Sequence, residues 1–389
     1  MPWRESSVVE ERLRFAVLAS EKGANLAALC RQFSISRQTG HLWRTRFQSG
    51  GTSQLVDRSR RPFASPLQTA AEIEQQIVEL RQQRPDWGAA KLRVLLAAER
   101  PGTTPPSIRT VQRILERRGL VRPCDRHTPA PHRFERAAPN QLWQMDFKGP
   151  GVQGIHAGRT VGPLSLLDDH SRYLVSLEQV GSTRLEAVRE ALTHSFQQSG
   201  VPEAILTDHG VPWWNAASPW GLTELTVWIM QQGIRLHFSG IAHPQTQGKV
   251  ERMHQSLERA VNRRGADGGD QHWLDEFRHE YNHVRPHEAL GMATPASRWQ
   301  PSQRVFREAP PPWHYEADME VAQLSKQGQL SWHHRRWELS RALRHQSVGI
   351  QTVGDRAIVY FCNTPIRELD LRSGASFAIP TDVIHRLQR

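Results

Sequence analysis

Apolar residues recur at helical spacing through the first third of the chain and fall into short strand-like runs after it. Val8, Val9, Leu13, Val17 and Leu18 predict a first helix, and Leu26, Leu29 and Phe33 a second after Gly23. A short SIS turn follows. Ser36 is then a good N-cap for RQTGHLWRTRFQSGG, where Leu42, Trp43 and Phe47 pack inward and Arg37, Gln38, His41, Arg44 and Arg46 stay free. This outlines a helix-turn-helix, whose second helix reads base edges in the major groove; a helical bundle with a basic face is the alternative. A related unit spans residues 66–122. Its helices carry Ile73, Ile77, Val78 and Leu80, then Leu92, Leu95 and Leu96, then a Ser-capped SIRTVQRILERRGL with Arg109, Gln112, Arg113, Arg117 and Arg118 on its polar side. Between the units, LVDRSRRPFASP has no apolar period. Its Arg58, Arg60 and Arg61 suit DNA backbone or groove contact, or a plain tether.

Residues 123–139 are Pro- and His-rich and predict a linker. Strands follow in LWQMDF, GPLSLLDD and RYLVSLEQV, then a helix over 184–197, the strand AILTD, a helix in LTELTVWIMQQ and the strand IRLHFS. That order predicts a mixed sheet covered by helices. After a second linker, short alternating runs with Gly328, Gly349 and Gly354 near turns predict a small all-β, barrel-like domain. The expected fold class is multidomain α/β. Its segments are helix-turn-helix units at 1–61 and 62–122, a linker at 123–139, an α/β domain at 140–302, a linker at 303–318 and a β domain at 319–389.

Charge sharpens this picture. Of the formal net charge of +11, all lies in residues 1–136, with 24 Lys and Arg against 13 Asp and Glu; the remainder is balanced. A basic segment of this kind displaces counterions from nucleic-acid phosphates, which points to a polyanion as partner, double-stranded DNA where the helix-turn-helix reading is added; a solvated basic surface is the alternative. No apolar run is long enough for a membrane span and the N-terminus is charged, so the expectation is a protein that is neither exported nor membrane-bound. Cys30, Cys124 and Cys362 are too scattered for a disulfide framework or a zinc motif.

Candidate chemistry lies in three carboxylates. Asp146 sits in an otherwise apolar strand, Asp208 closes another, and Glu251 projects from a helix whose Val250, Met253, Leu257, Ala260 and Val261 have helical spacing. Mg²⁺ takes hard oxygen ligands and keeps several waters, so a few carboxylates with substrate phosphate complete its shell. Two such ions stabilise the attacking and leaving oxygens of an in-line phosphoryl displacement. Spacing alone does not single these three out among 39 acidic residues. Lys249 and Arg252 flank the glutamate as candidate phosphate contacts, Gln245 and Gln247 are weaker ones, and Asp168 and Asp169 are explained by a turn. His243, His254, His283 and His287 match no compact zinc spacing.

The segments LWQMDF, ILTDHG, HPQTQGKVERMH and YNHVRPHEALG occur in this order over about residues 140–300. They resemble the catalytic core shared by bacterial insertion-sequence transposases and retroviral integrases. The resemblance implies a ribonuclease-H-like fold, Asp146, Asp208 and Glu251 as the metal-binding DDE carboxylates, and Mg²⁺, with Mn²⁺ as substitute, as two ions per site. It also implies binding of terminal inverted repeats by the N-terminal units, cleavage of element ends, joining of the 3′-OH to target DNA, and at least a dimer on DNA. A bacterial cytoplasmic, nucleoid-associated location goes with it. One departure is the 42 residues between Asp208 and Glu251, more than the family commonly has; PWWNAASPWGL accounts for it as an expanded loop, whose Trp213, Trp214 and Trp220 pack the loop or, as the alternative, contact DNA bases. Glu258, seven residues beyond Glu251, is the runner-up third ligand.

Overall fold

The computed structural model describes residues 7–58, 68–121, 135–149, 162–218, 221–239, 248–264 and 270–379. The chain divides into two compact units, residues 1–70 and 71–389. Among the described residues no helix is long and apolar enough to cross a membrane.

The first unit contains α1 (Val8–Ser20), α2 (Leu26–Gln32) and α3 (Arg37–Gly50). Ser7 and Glu10 form a reciprocal capping box on α1, and Ser36 caps α3 by accepting from the Thr39 N–H. The buried face of α1 differs from the expected one. Phe15, Ala16 and Ala19 enter the core with Cys30, Trp43 and Leu55, whereas Val8 is 65% exposed and Val9, Val17, Leu18 and, on α3, Leu42 also face outward. Arg12 decides the rotation of α1: its guanidinium lies 4.0 Å from the Trp43 ring centroid and donates to the Leu55 carbonyl and Asp57, so its face of the helix turns inward.

In the second unit, α4 (Ala71–Gln83), α5 (Ala89–Glu99) and α6 (Ile108–Arg117) close on Ile77, Leu80, Trp87, Leu92, Leu96, Val111, Ile114 and Leu115. Ser107 caps α6 as expected. A five-stranded mixed sheet follows, built from β1 (Trp143–Phe147), β2 (Leu164–Asp168), β3 (Leu174–Glu178), β4 (Ala204–Thr207) and β5 (Arg235–Phe238) in the order β3-β2-β1-β4-β5. α7 (Leu185–Ser199) and α8 (Glu224–Gln231) share one core with Trp143 and Met145; α9 (Gly248–Arg264) and α10 (Gln271–His279) share another with Leu167, Leu174 and Leu177. The α10 helix, absent from the expected elements, carries a clear sequence signal, an Asp270 N-cap followed by Trp273, Leu274 and Phe277.

The C-terminal region corrects the barrel-like expectation. β6 (Glu320–Gln323), β9 (Ser347–Val353), β10 (Arg356–Phe361), β11 (Thr364–Asp370) and β12 (Ser376–Phe377) form an open antiparallel sheet in the order β12-β11-β10-β9-β6. β7 (Gln329–Trp332) and β8 (Arg335–Glu338) pair only with each other, so among the described strands no ladder joins the two edges. The segment 303–318, expected as a linker, begins against the α/β body. Arg304 donates to the carbonyls of Pro202, Gln232 and Gly233, and its own carbonyl accepts from the Val201 N–H.

Candidate active site

Strand β1 pairs antiparallel with β2 and parallel with β4, so β1 and β4 end at the same edge of the sheet. In open α/β sheets that edge, where the strand order switches, is where ligands bind. Asp146 is the penultimate residue of β1 and Asp208 follows β4 directly. The register pairs Trp143 with Ile205 and Gln144 with Leu206. Continued by two residues, it sets Asp146 beside Asp208 at the interstrand spacing of about 5 Å. Strand alternation then sorts the faces: Trp143, Met145 and Phe147 join the α7–α8 core, while Gln144 and Asp146 turn toward α9.

The α9 helix seats itself by the stripe its sequence predicts, with Val250, Met253, Leu257, Ala260 and Val261 all buried. Glu251 stands on its exposed first turn. Burial, the neighbouring Asp208 and, more weakly, Glu251 push the Asp146 carboxyl up to about 7, against an opposing backbone hydrogen bond and Lys148. Asp146 thus feels the charges of both other carboxylates. His254, one turn further along α9, bonds the Ser165 hydroxyl through Nε2 at 2.9 Å and brings Nδ1 to 3.7 Å from Asp146. Burial and Lys148 push this imidazole down to about 3, so it is a neutral neighbour of the carboxylate. Glu258, the alternative third carboxylate, faces Lys148 at 3.8 Å.

Asp208 is tightly held. Its Oδ1 accepts from the Gly210 N–H at 2.9 Å and from the Trp213 indole N–H at 2.6 Å. A Cβ on Gly210 would come within 2.9 Å of the same oxygen and 3.1 Å of Oδ2. Gly210→Ala is therefore expected to swing the Asp208 carboxylate aside, lowering any activity that uses this carboxylate on the order of 10-fold or more while the fold survives. A thermal melt alongside the activity assay checks this; unaltered activity would mean that the carboxylate position is not critical.

Residues 232–295, which contain Glu251, match the model of the integrase core domain. The chain carries an integrase core. Residues 6–56 and 39–115 each match homeodomain-like domain models. The chain is 25% identical over 250 residues to the insertion element IS407 uncharacterized 31.7 kDa protein of Burkholderia multivorans, covering 60% of this chain and 82% of that protein. It is 23% identical over 294 residues to the insertion element IS476 uncharacterized 39.2 kDa protein of Xanthomonas euvesicatoria, covering 71% and 78%. A solved structure of the HTLV-2 integrase catalytic core domain in complex with magnesium is similar at 15% identity and a TM-score of 0.31, over 42% of this chain and 97% of that one. Integrase core, helix-turn-helix modules and insertion-element relatives together mark a protein of the integrase/transposase kind.

Within the integrase core, Lys249 departs from its expected place at DNA phosphate. Its Nζ contacts Asp169 Oδ1 at 2.5 Å and the Asp169 carbonyl at 3.1 Å, and Asp169 is fully buried. Gln144 completes the arrangement by donating to Asp169 Oδ1 and accepting from the Val250 N–H. Lys249 thus anchors the start of α9 to the sheet, beside Glu251. Asp168 does serve the turn, accepting from the Ser171 N–H and hydroxyl and from the Asn140 N–H. Arg252 is exposed next to Glu251. Within the loop between β4 and α8, Trp213 is buried against Phe147, and Trp214 packs edge-on to His209 and Phe238, so both pack the loop. Trp220, His243, Gln245 and Gln247 lie outside the described residues. Among the described residues no three His, Cys, Asp or Glu side chains are gathered closely enough to cage a metal ion.

The helix-turn-helix candidates divide between the compact units. Arg37, Gln38 and His41 are exposed on α3, and Arg44 is half-buried. Arg58 is exposed and bonds Gln54; Arg60 and Arg61 lie outside the described residues. On α6, Arg109 and Arg113 are exposed, Gln112 bonds Glu116, and Arg117 is drawn to Glu74 at 2.8 Å.

Two further roles escaped the motif reading. Asn282, in the π-helical turn Glu280–Val284, accepts from the Leu174 N–H and donates to the Leu174 carbonyl, capping the edge of β3 as a strand would. Arg285 reaches from the integrase core to Asp86 at 3.4 Å and lies 5.6 Å from the Trp87 ring centroid. The YNHVRPHEALG segment therefore ties the second helical module to the core.

Proposed function

We propose that the protein is a DNA transposase that cleaves the ends of its element and joins the exposed 3′-OH to target DNA, with Asp146, Asp208 and Glu251 as the catalytic carboxylates. The observation that carries this reading is the convergence of Asp146 and Asp208 at the ends of adjacent parallel strands, with Glu251 close enough to act on Asp146. Crowding of like charges there suits cations: Mg²⁺ binds through one or two carboxylates plus substrate phosphates and water, so an open arrangement fits it better than a closed cage. Mg²⁺, or Mn²⁺ in its place, held as two ions by the three carboxylates, would neutralise charge on the attacking and leaving oxygens of each in-line displacement.

The chain's own groups do the rest. Lys249, Gln144 and Asp169 hold the first turn of α9, which carries Glu251. Neutral His254 and the apolar α9 stripe exclude water behind Asp146. Cleavage transfers the phosphoryl group to water and releases a 3′-OH; in joining, that hydroxyl attacks a target phosphodiester and the target's own 3′ oxygen leaves with the proton. Helix α3, α6 and the Arg58–Arg61 segment would read the terminal repeats, and Arg252 would hold a phosphate beside the reacting one. The functional segments are 1–61, 62–122, 140–302 and 319–389. Two ends must meet, so at least a dimer forms on bacterial nucleoid DNA.

The test incubates the full chain with labelled element ends, target plasmid and Mg²⁺. Joined products that vanish in chelator are expected. Cleavage without joining would make the protein a nuclease, and binding alone would make it a DNA-binding regulator.

A further inference from the structure

Asp208 lies beyond the end of its strand, where neither a ladder hydrogen bond nor helix geometry restrains its side chain. A metal-binding carboxylate in a turn needs an external restraint, and partners that orient metal ligands are worth 10–100-fold in metal affinity. Trp213 is built to supply one. Its ring is 1% exposed and stacks on Phe147 with centroids 5.1 Å apart and planes 13° from parallel. From there its Nε1–H reaches Asp208 Oδ1 at 2.6 Å, a short charge-assisted bond. Phe147 directly follows Asp146 on β1, so the stack runs on the opposite face of the strand from that carboxylate.

Resting on the reading of Asp146 and Asp208 as metal ligands, we propose that Trp213 is a positioning residue for Asp208: its indole N–H occupies Oδ1, while its stack on Phe147 ties the second carboxylate to the strand that carries the first. Two donors, Gly210 N–H and Trp213 N–H, saturate Oδ1; among the described residues no hydrogen bond is donated to Oδ2. The carboxylate is thereby held in one rotamer with one oxygen left for a cation. Part of the Trp-rich stretch between the second and third carboxylates thus serves the site from behind rather than meeting DNA.

Trp213→Phe keeps an aromatic ring to pack on Phe147 and removes the N–H together with the indole's second ring, leaving a small cavity. Mn²⁺ binding to the full chain, read by electron paramagnetic resonance without DNA, is expected to weaken about 10-fold or more, while in chelator the chain still melts cooperatively, somewhat below the parent because of the cavity. Joining should fall at limiting metal and recover at saturating metal, a split that loss of structure would not produce. In the unmutated chain, the ¹⁵N-indole resonance displaced by Asp208→Asn should also move as Mg²⁺ is added, which keeps the test intact if Trp213→Phe folds poorly. Parental Mn²⁺ affinity in Trp213→Phe, with Asp208→Asn defective, would overturn the role of Trp213 alone. Parental affinity in Asp208→Asn would overturn the metal-ligand reading and this proposal with it.

Discussion

Asp146→Asn is expected to abolish strand joining and, in metal-free protein above pH 7, to raise stability. Loss of an electrostatic group at the centre of a phosphoryl-transfer site costs on the order of 10³-fold in rate, and Asp208→Asn and Glu251→Gln should lose comparable activity. The stability gain has a separate cause. Burial and the charges of Asp208 and Glu251 set the folded carboxyl at about 7, above the ordinary 3.8. The fold therefore disfavours the ionised form. Below pH 3.8 the group is protonated in both states and nothing is lost; stability falls as pH rises from 3.8 to 7 and stays reduced above it. Asparagine carries no charge to penalise. A shift of this size corresponds to at most about 4 kcal/mol, and partial solvent access brings the expected gain to about 1–4 kcal/mol. Lys148, Glu258 and His254 also face this region, so parent and variant should be compared across pH in chelator. A melting difference that does not change between pH 4 and pH 8 would contradict the electrostatic account; intact joining would remove Asp146 from the site.

Asp86→Ala is expected to destabilise the second compact unit by about 3–5 kcal/mol, because it strands buried positive charge. Asp86 precedes α5 and faces Arg285 at 3.4 Å and Arg263, on α9, at 3.1 Å. The Arg263 approach is a charge contact rather than an aligned hydrogen bond, since Oδ1 has no hydrogen-bond partner. The side chains of Asp86 and Arg285 are only 8% and 10% exposed. Lys91 adds a third cation: burial and Arg285 push its amine down to about 8, while Glu288 and Asp86 act the other way. Without Asp86 the cations repel one another. Replacing the pair together, as Asp86→Leu with Arg285→Met, should recover part of the loss, because burying neither charge removes the desolvation cost. Chemical denaturation reads both variants. An Asp86→Ala cost below about 1 kcal/mol would show that water already screens this cluster.

Much of the architecture was legible in residue order because its signals are local. Ser36 and Ser107 announce the helices they cap, and the stripe from Val250 to Val261 shows which side of α9 is buried, leaving Glu251 outward. Strand runs around Asp146 and Asp208 appear where alternation and apolar content place them. The face of α1 was not legible. Val8, Val9 and Val17 fit a helical period, yet Arg12 on Trp43 sets the rotation, and a cation on a ring 31 residues away has no local pattern.

By itself, the sequence determined the order of elements, the confinement of excess positive charge to the first 136 residues, and which three carboxylates merit attention. Only the tertiary structure decided how those carboxylates are held. The parallel register of β1 and β4 brings Asp146 alongside Asp208; Lys249 turns inward to buried Asp169; Trp213 packs on Phe147. Caps and periodicity act within a turn or two of helix, so they can be read along the chain. The orientation of a carboxylate depends on donors from distant strands and loops, which meet only once hydrophobic burial has folded the sheet between its helices.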